Sequence, residues 1–296
     1  MKKRNLFLTR LLLLITFLVI ALAVWTGRAE ADVHYMPDYE KIDLQDILQK
    51  EYLEVRDYEV LLRQTGLGRL GVDELWGQER QEELLFLQQR FFAPIEYECR
   101  RRWVLYHSER VIQETRDETR HNGEDTNEVG EYGNLEEAAD HGDFLPTVRT
   151  GDILITFNGH FLGWRSGHAG IVTDAEKGEV LEAMSLGTES RICALEHWRE
   201  YPSFILLRLK NTGDEKRQEI GKHAGEKLVG IPYRLLSLCG IEGEGTQCAY
   251  LVWSAYRFFG YNLDSDGGFV VTPYDIYQSD LLEIVQVYGV KPGNCP

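Results

Sequence analysis

The chain has few cysteines and no strong excess of positive charge. Its 296 residues include five cysteines, an odd number and a small one for an exported protein built on disulfides, and no two have zinc-ribbon spacing. With 32 basic and 48 acidic residues, the formal net charge is −16. So acidic a chain is a poor candidate for binding nucleic acid or anionic lipid, because both require clustered lysine and arginine.

The long hydrophobic run of the chain lies at its N-terminus. A basic stretch over residues 2–10 precedes an apolar run over residues 11–25 that is broken only by Thr16, and Ala29-Glu30-Ala31 then offers a small-x-small cleavage site. This order is typical of a secretory signal peptide. An uncleaved membrane anchor is the alternative, although a span needs about 20 apolar residues. Residues 1–31 therefore predict export across the cytoplasmic membrane, into the cell envelope or the medium, with membrane contact only through this segment if it is kept.

A helical segment is predicted over residues 32–120. Apolar residues recur at helical spacing among charged ones over residues 38–65 and again over residues 73–117. A glycine-containing break separates the two patterns, and Pro94 bends the second. We expect a helical hairpin that packs on itself or on the domain that follows.

Residues 121–146 differ in composition from both neighbours. They are rich in Glu, Asp, Gly and Asn and nearly free of large apolar residues, which predicts a solvated linker or loop. His121 and His141 lie there without ligand spacing, so metal binding is the minor interpretation. We expect no metal and no other cofactor.

Residues 147–296 show the pattern of an α+β domain. Short β-type runs, joined by connections that contain glycine, predict antiparallel strands at residues 152–157, 168–173, 179–184, 191–195, 204–209 and 282–287. Helices are predicted at residues 214–228, from 246 onward and after Thr272. Helices and strands that are largely segregated along the chain favour an antiparallel sheet packed on helices.

Cys248 lies at the predicted start of a helix. Five apolar residues follow at helical spacing, and Gly260 ends the pattern; they are Leu251, Val252, Ala255, Phe258 and Phe259. Thr246 is the predicted N-cap. A cysteine at this place is surrounded by unpaired N–H groups at the positive end of the helix dipole, which favours the reactive thiolate. A buried structural cysteine is the alternative, and the local pattern leaves both open.

His168 and Glu182 are candidates for the base and for the group that orients it. His168 begins one predicted strand among glycines, and Glu182 lies in the next strand between apolar neighbours. A carboxylate in such a run is costly to bury without a partner. If the two strands form a hairpin, Glu182 can reach the imidazole, fix its tautomer and stabilise the imidazolium. Taken singly, each could be an ordinary strand residue, but the three fit one mechanism of nucleophilic catalysis.

A series of short segments within about residues 147–288 resembles a known family. The segments are Gly151-Asp152-Ile153-Leu154, Gly167-His168-Ala169-Gly170-Ile171-Val172, Leu181-Glu182-Ala183, Cys248-Ala249-Tyr250-Leu251-Val252-Trp253 and Val271-Thr272-Pro273-Tyr274-Asp275-Ile276. Together they resemble the motifs of the permuted papain-like enzymes of the NlpC type, in the branch with YiiX-like and YycO-like bacterial proteins. The order is permuted, with His first, Glu second and Cys last.

The resemblance implies a permuted papain-like fold and a role for each motif residue. Cys248 is the implied nucleophile, His168 the base and Glu182 the orienting residue. Tyr233, in Ile231-Pro232-Tyr233, matches a tyrosine that often helps to hold the oxyanion in this family, although it could also be an ordinary turn-packing residue. Ala249 departs from the family pattern, where Ser is common after the cysteine, but the backbone N–H groups of that region remain possible oxyanion donors.

Three functions follow from these expectations. The favoured one is an exported cysteine hydrolase that cleaves an amide bond, most often in this superfamily a bond of the peptides of peptidoglycan. The second is lipid or acyl chemistry, for which an apolar groove could be lined by Phe157, Phe161, Leu162 and Trp164. The third is a non-catalytic envelope protein in which the helical segment binds a partner. Cys239 is the main rival nucleophile, but no helix is predicted to follow it. The sequence leaves the oligomeric state open.

Overall fold

The computed structural model describes most of the two folded parts of the chain, at residues 10–22, 35–93, 148–158, 160–161, 164–165, 167–235, 237 and 245–290. The predicted linker, the end of the second helical pattern, and Cys239 lie outside the described residues. Residues 10–22 form a helix, α1, with exposed apolar side chains. In the described part of the chain, no helix is both long and apolar enough to cross a membrane. The export signal stays a prediction.

Four short helices make up the described part of the N-terminal helical segment. They are α2 (Gln45–Leu48), α3 (Val55–Thr65), α4 (Arg69–Gly77) and α5 (Glu83–Phe91). The helical pair expected from the sequence is present as α3 and α5, which pack together, but each long pattern is divided. A capping box of Glu54 and Asp57 starts α3, and Gly66, at a φ of 71°, ends it. The capping box divides the first apolar pattern into α2 and α3, whereas Gly66 ends α3 at the break that the sequence predicts.

The second part of the chain holds a six-stranded sheet with the order β6-β5-β4-β1-β7-β8, and all its neighbouring strands are antiparallel. The strands are β1 (Ile153–Thr156), β4 (His168–Asp174), β5 (Glu179–Glu182), β6 (Arg191–Ala194), β7 (Phe204–Leu209) and β8 (Leu282–Tyr288), with a separate ribbon of β2 (His160–Phe161) and β3 (Trp164–Arg165). The remaining elements are a 3₁₀ helix (Leu195–Glu200), α6 (Asp214–Lys227), α7 (Cys248–Phe258) and α8 (Pro273–Tyr277). The predicted α+β class and the antiparallel sheet are thus confirmed.

The sheet has helical structure on both faces. On one face, Ile171 and Leu181 belong to the core that α6 and α7 complete. On the other face, Val172 and Val180 pack with Trp198 of the 3₁₀ helix. Because residues alternate between faces along a strand, His168 and Gly170 of β4 lie on the same face as Val172, next to Trp198. His168 therefore stands at the start of β4 on the face that the 3₁₀ helix covers.

The N-terminal helices are joined to the far edge of the sheet. The N–H of Gly68 donates to the carbonyl of Val285 at 2.8 Å, and the N–H of Val287 donates to Gly66 at 2.7 Å. A Cβ on Gly68 would lie 1.9 Å from the carbonyl oxygen of Ile284, so only glycine permits this approach. The helical segment thus covers the β8 edge, which would otherwise expose unpaired backbone groups. In the strand order, β8 forms one edge of the sheet and β6 forms the other. The strand that carries His168, β4, lies nearer to β6.

Candidate functional site

Cys248 lies in the first turn of α7, as the sequence predicts, but it is the first residue of the helix because the cap is one residue later than expected. The N-cap is Gln247, whose side-chain oxygen accepts the N–H of Ala249 at 3.3 Å. The prediction that Thr246 caps the helix is wrong, because backbone bonds with Pro232 and Arg234 hold Thr246 one residue too early. Gln247 also donates to the carbonyl of Val271 at 2.6 Å, so it ties the cysteine to the loop before α8.

The apolar stripe of α7 is also shifted from the predicted one. Leu251, Val252 and Ala255 are fully buried, but Phe258 is 69% exposed and Tyr256 is buried in its place. The Tyr256 hydroxyl donates to the carbonyl of Gly151 at the start of the sheet domain. This polar anchor explains why a tyrosine occupies a core position that the apolar pattern assigned to other residues. It also fixes the helix that carries Cys248 to the chain just before β1.

His168 and Glu182 lie in adjacent strands and touch. The register of β4 and β5 pairs Gly170 with Glu182, and His168 stands two residues away on the same face. His168 Nε2 lies 2.5 Å from Glu182 Oε2, and both side chains are buried. Gly170 leaves room beside the imidazole, and the side chains of Glu182 and Trp198 fill it. A Cβ on Gly170 would lie 3.0 Å from Glu182 Cγ and 3.3 Å from Trp198 Cζ2. The hairpin therefore brings the two residues together as the sequence suggests.

The Cys248 thiol lies near the imidazole of His168 and donates a hydrogen bond to Gln247 Oε1 at 3.7 Å. Burial alone would lower the pKa of His168, but the interactions with Cys248 and Glu182 outweigh it and raise that pKa to about 10. Because Nε2 faces Glu182, Nδ1 is the ring nitrogen left for the sulfur. A ring that keeps both protons at neutral pH can direct one N–H at Glu182 and the other toward the sulfur of Cys248.

Glu182 has two further partners that sequence reasoning missed. Trp198 Nε1 donates to Glu182 Oε1 at 3.1 Å, and the indole stacks on the ring of His168 at 5.6 Å between centroids. His197 Nε2 lies 3.2 Å from the same Oε1 atom. Burial by itself would raise the pKa of Glu182, but His197 and His168 together hold it well below its usual range. The sequence gives one signal for these partners, the adjacent His197 and Trp198 that follow the predicted strand at residues 191–195.

The backbone of Tyr233 pairs with the segment just before Cys248, and its hydroxyl is close enough to Cys248 to be affected by its charge. Tyr233 forms a parallel bridge with Thr246, two residues before Cys248, and its N–H donates to Thr188 at 2.8 Å. Burial, together with the charge of Cys248, raises the pKa of Tyr233. The hydroxyl therefore keeps its proton at any ordinary pH and can donate a hydrogen bond. A second donor is the backbone N–H of Cys248, because the first residue of a helix has no acceptor within that helix.

An apolar groove of about 440 Å³ adjoins the site. It lies between Gly167, which precedes His168, and Gln247, which precedes Cys248. The other residues that line it are Phe157, Leu235, Val270, Val271, Thr272, Pro273 and Tyr274. None of these side chains is charged. Of the four residues expected to line such a groove, Phe157 does so, whereas the side chains of Phe161, Leu162 and Trp164 lie outside the described residues.

One group of acidic side chains could be considered for a metal. In the part of the chain that the structure describes, Asp264, Asp266 and Asp275 have carboxylate oxygens within 4.8 Å of one another. Asp275, however, already accepts the hydroxyl and the N–H of Thr272, at 2.6 Å and 2.7 Å, in the capping box of α8. Helix capping thus accounts for the buried member of this group.

No protein-family model matches the sequence, and no curated protein is significantly similar to it. Among solved structures, the chain is similar to the crystal structure of the metalloprotein YiiX from Escherichia coli O157:H7, described as DUF1105, with 16% identity and a TM-score of 0.38. The match covers 46% of this chain and 96% of YiiX. A TM-score of this size does not establish a common fold. Membership of the YiiX-like branch, which the sequence motifs resemble, therefore stays a proposal.

Proposed function

We propose that the chain is a cysteine hydrolase of the permuted papain-like type, which cleaves an amide bond through an acyl-enzyme. The observation that supports this most strongly is the position of His168. Its Nε2 is bonded to Glu182, and the ring lies near Cys248, which stands at the start of α7. A nucleophile beside a base that is held by a carboxylate is the arrangement that nucleophilic catalysis requires.

Each step of the reaction has a residue to perform it. The Cys248 thiolate attacks the carbonyl carbon, a carbon–sulfur bond forms, and the carbonyl electrons move to oxygen. The Cys248 N–H and the Tyr233 hydroxyl stabilise this oxyanion. The intermediate then expels the amine, which takes the Nδ1 proton of His168. Neutral His168 next removes a proton from water, which attacks the thioester, and collapse releases the acid and restores the thiolate–imidazolium pair.

The favoured substrate is a peptide amide of bacterial peptidoglycan. Its support is the N-terminal sequence pattern, because an exported enzyme would meet this substrate in the cell envelope. The surface around the site supports a second candidate, an acyl or lipid amidase or thioesterase. The groove between Gly167 and Gln247 is lined without a charged side chain and is large enough for part of an acyl chain. Peptidoglycan peptides carry several carboxylates, for which this groove offers no counter-charge.

Acyl-enzyme trapping separates these functions. The purified protein is mixed with peptidoglycan-derived peptides or with a medium-chain acyl p-nitrophenyl ester, quenched in acid within seconds, and digested for mass spectrometry. A mass increase on Cys248 with the peptides supports the first function, and one with the ester alone supports the second. Cys193→Ala, which removes another buried cysteine, is the matched control and should still be acylated. No adduct with either substrate would instead favour a binding protein.

A further inference from the structure

His197 stands on the side of Glu182 away from the proposed reaction and has no part in the mechanism above. It lies in the 3₁₀ helix between β6 and β7. Its Nδ1 is 2.6 Å from the carbonyl oxygen of Ala194, and its Nε2 is 3.2 Å from Glu182 Oε1. The two oxygens of Glu182 are thus divided, with Oε2 facing His168 and Oε1 facing His197 and Trp198.

The partners of His197 fix its protonation. A carbonyl oxygen only accepts hydrogen bonds, so Nδ1 carries a proton. If the ring were neutral, Nε2 would hold a lone pair 3.2 Å from an anionic carboxylate oxygen, outside hydrogen-bond geometry, and the two would repel each other. A second proton on Nε2 turns that repulsion into an ion pair within a buried site. Burial would lower the pKa of His197, but the charge of Glu182 outweighs it and raises that pKa, in agreement with the geometry.

The charges around His197 then balance. Glu182 from β5 faces it as an anion, and His168 from β4 stands beyond the carboxylate as a cation. Arg191 of β6 occupies the register position opposite Glu182, Glu196 precedes His197 on its own turn, and the ring of Tyr201 lies 6.3 Å away. With His197 protonated, its charge offsets that of Glu182, and the charge of His168 is left for the thiolate of the proposed mechanism.

We propose that His197 is a positioning residue, which as an imidazolium holds Oε1 of Glu182, keeps Oε2 directed at His168, and sets the pH range in which the cysteine is reactive. The inference rests on the proposed roles of Cys248 and His168. Without His197, the full negative charge of Glu182 acts on His168. Removal of a positive charge raises the pKa of every neighbouring group, so both limbs of the pH profile move upward.

The first test needs no catalysis. In protein labelled with ¹⁵N-histidine, the His197 signals, assigned with His197→Gln, are expected at imidazolium shifts for both nitrogens at pH 7. Neutral shifts for His197 at pH 7 would overturn the proposal. This measurement holds even if the protein hydrolyses nothing, so failure of the proposed function and failure of this inference are distinguishable.

The second test is the pH profile of iodoacetamide alkylation at Cys248. His197→Gln is expected to shift the profile upward by about one pH unit, because the loss of a neighbouring positive charge raises the pKa of the groups around it. The matched control is His223→Gln, since His223 stacks on Phe258 at the opposite end of α7 from Cys248. If the alkylation rate of His197→Gln is lower at every pH but both limbs of the pH profile stay at the same pH, His197 has only a packing role and the proposal is contradicted.

Discussion

Replacement of Cys248 by alanine is expected to abolish hydrolysis while the protein keeps its fold. The thiol supplies the nucleophile, and no other described side chain contacts His168 in a way that could replace it. The side chain is small, so its loss should change the free energy of unfolding by only about 1 kcal/mol. His168→Ala should reduce kcat/KM by about 10³-fold, because it removes the general acid and base. Both values are measured by steady-state hydrolysis of whichever substrate acylates the enzyme.

The matched control for this prediction is Cys193→Ala. Cys193 is also buried and lies on β6, where it pairs with Val180 and takes no part in the site. Its removal should leave kcat/KM within about twofold. Residual hydrolysis in Cys248→Ala above a tenth of the wild-type rate, with circular dichroism unchanged, would mean that another group is the nucleophile.

Glu182→Gln is expected to have the largest effect on stability. The carboxylate is fully buried between His168, His197 and Trp198. Glutamine keeps the shape but removes the anion, and the loss of one partner from a buried ion pair costs about 3–5 kcal/mol. The effect on kcat should be smaller than that of His168→Ala, because the amide oxygen can still accept from the ring. Urea unfolding measures the stability, and Glu179→Gln on the same strand is the matched control.

The pH dependence of this loss follows from the shifted groups. The pKa of His168 is raised to about 10, so its stabilising contribution is complete below about pH 6.5 and disappears as the pH rises through 10. The pKa of Glu182 is lowered, so its contribution is present above about pH 4.5 and disappears in acid. The stability difference between wild type and Glu182→Gln should be widest near pH 5–6.5 and narrow by pH 10. An equal difference at pH 6 and pH 10 would contradict the charged pair.

The sheet and the contact between His168 and Glu182 could be predicted because they depend on local pattern. Alternating apolar runs with glycine connections indicate a hairpin, and a hairpin places a residue within reach of its neighbour two positions along the opposite strand. The place of Cys248 in the first turn of α7 was predictable for a similar reason, since the apolar spacing of the helix begins at Leu251, three residues later. The cap was misassigned, because the backbone bonds of Thr246 to a distant segment leave no trace in the local sequence, and Phe258 was wrongly placed in the buried stripe, where Tyr256 lies instead.

His197 and Trp198 could not be predicted, because nothing local indicates a 3₁₀ helix that folds back over β5. Their role depends on the order in which the strands pair, which brings the segment after β6 against Glu182. The N-terminal segment shows the opposite error. Its first apolar pattern, over residues 38–65, continues through Glu54 and Asp57, whose capping box starts a new helix, so the pattern suggested a longer helix than the cap allows.

The central claim is that Cys248 is activated by His168, and pH-dependent alkylation tests it most directly. The protein is treated with iodoacetamide between pH 4 and pH 10, and the modified cysteine is mapped by mass spectrometry in wild type, His168→Ala and Cys193→Ala. The account predicts selective labelling of Cys248 that is already rapid at pH 6 and falls by about 100-fold in His168→Ala, with Cys193→Ala unchanged. Slow labelling without preference for Cys248, or labelling unaffected by His168→Ala, would contradict the activated pair and favour the binding protein.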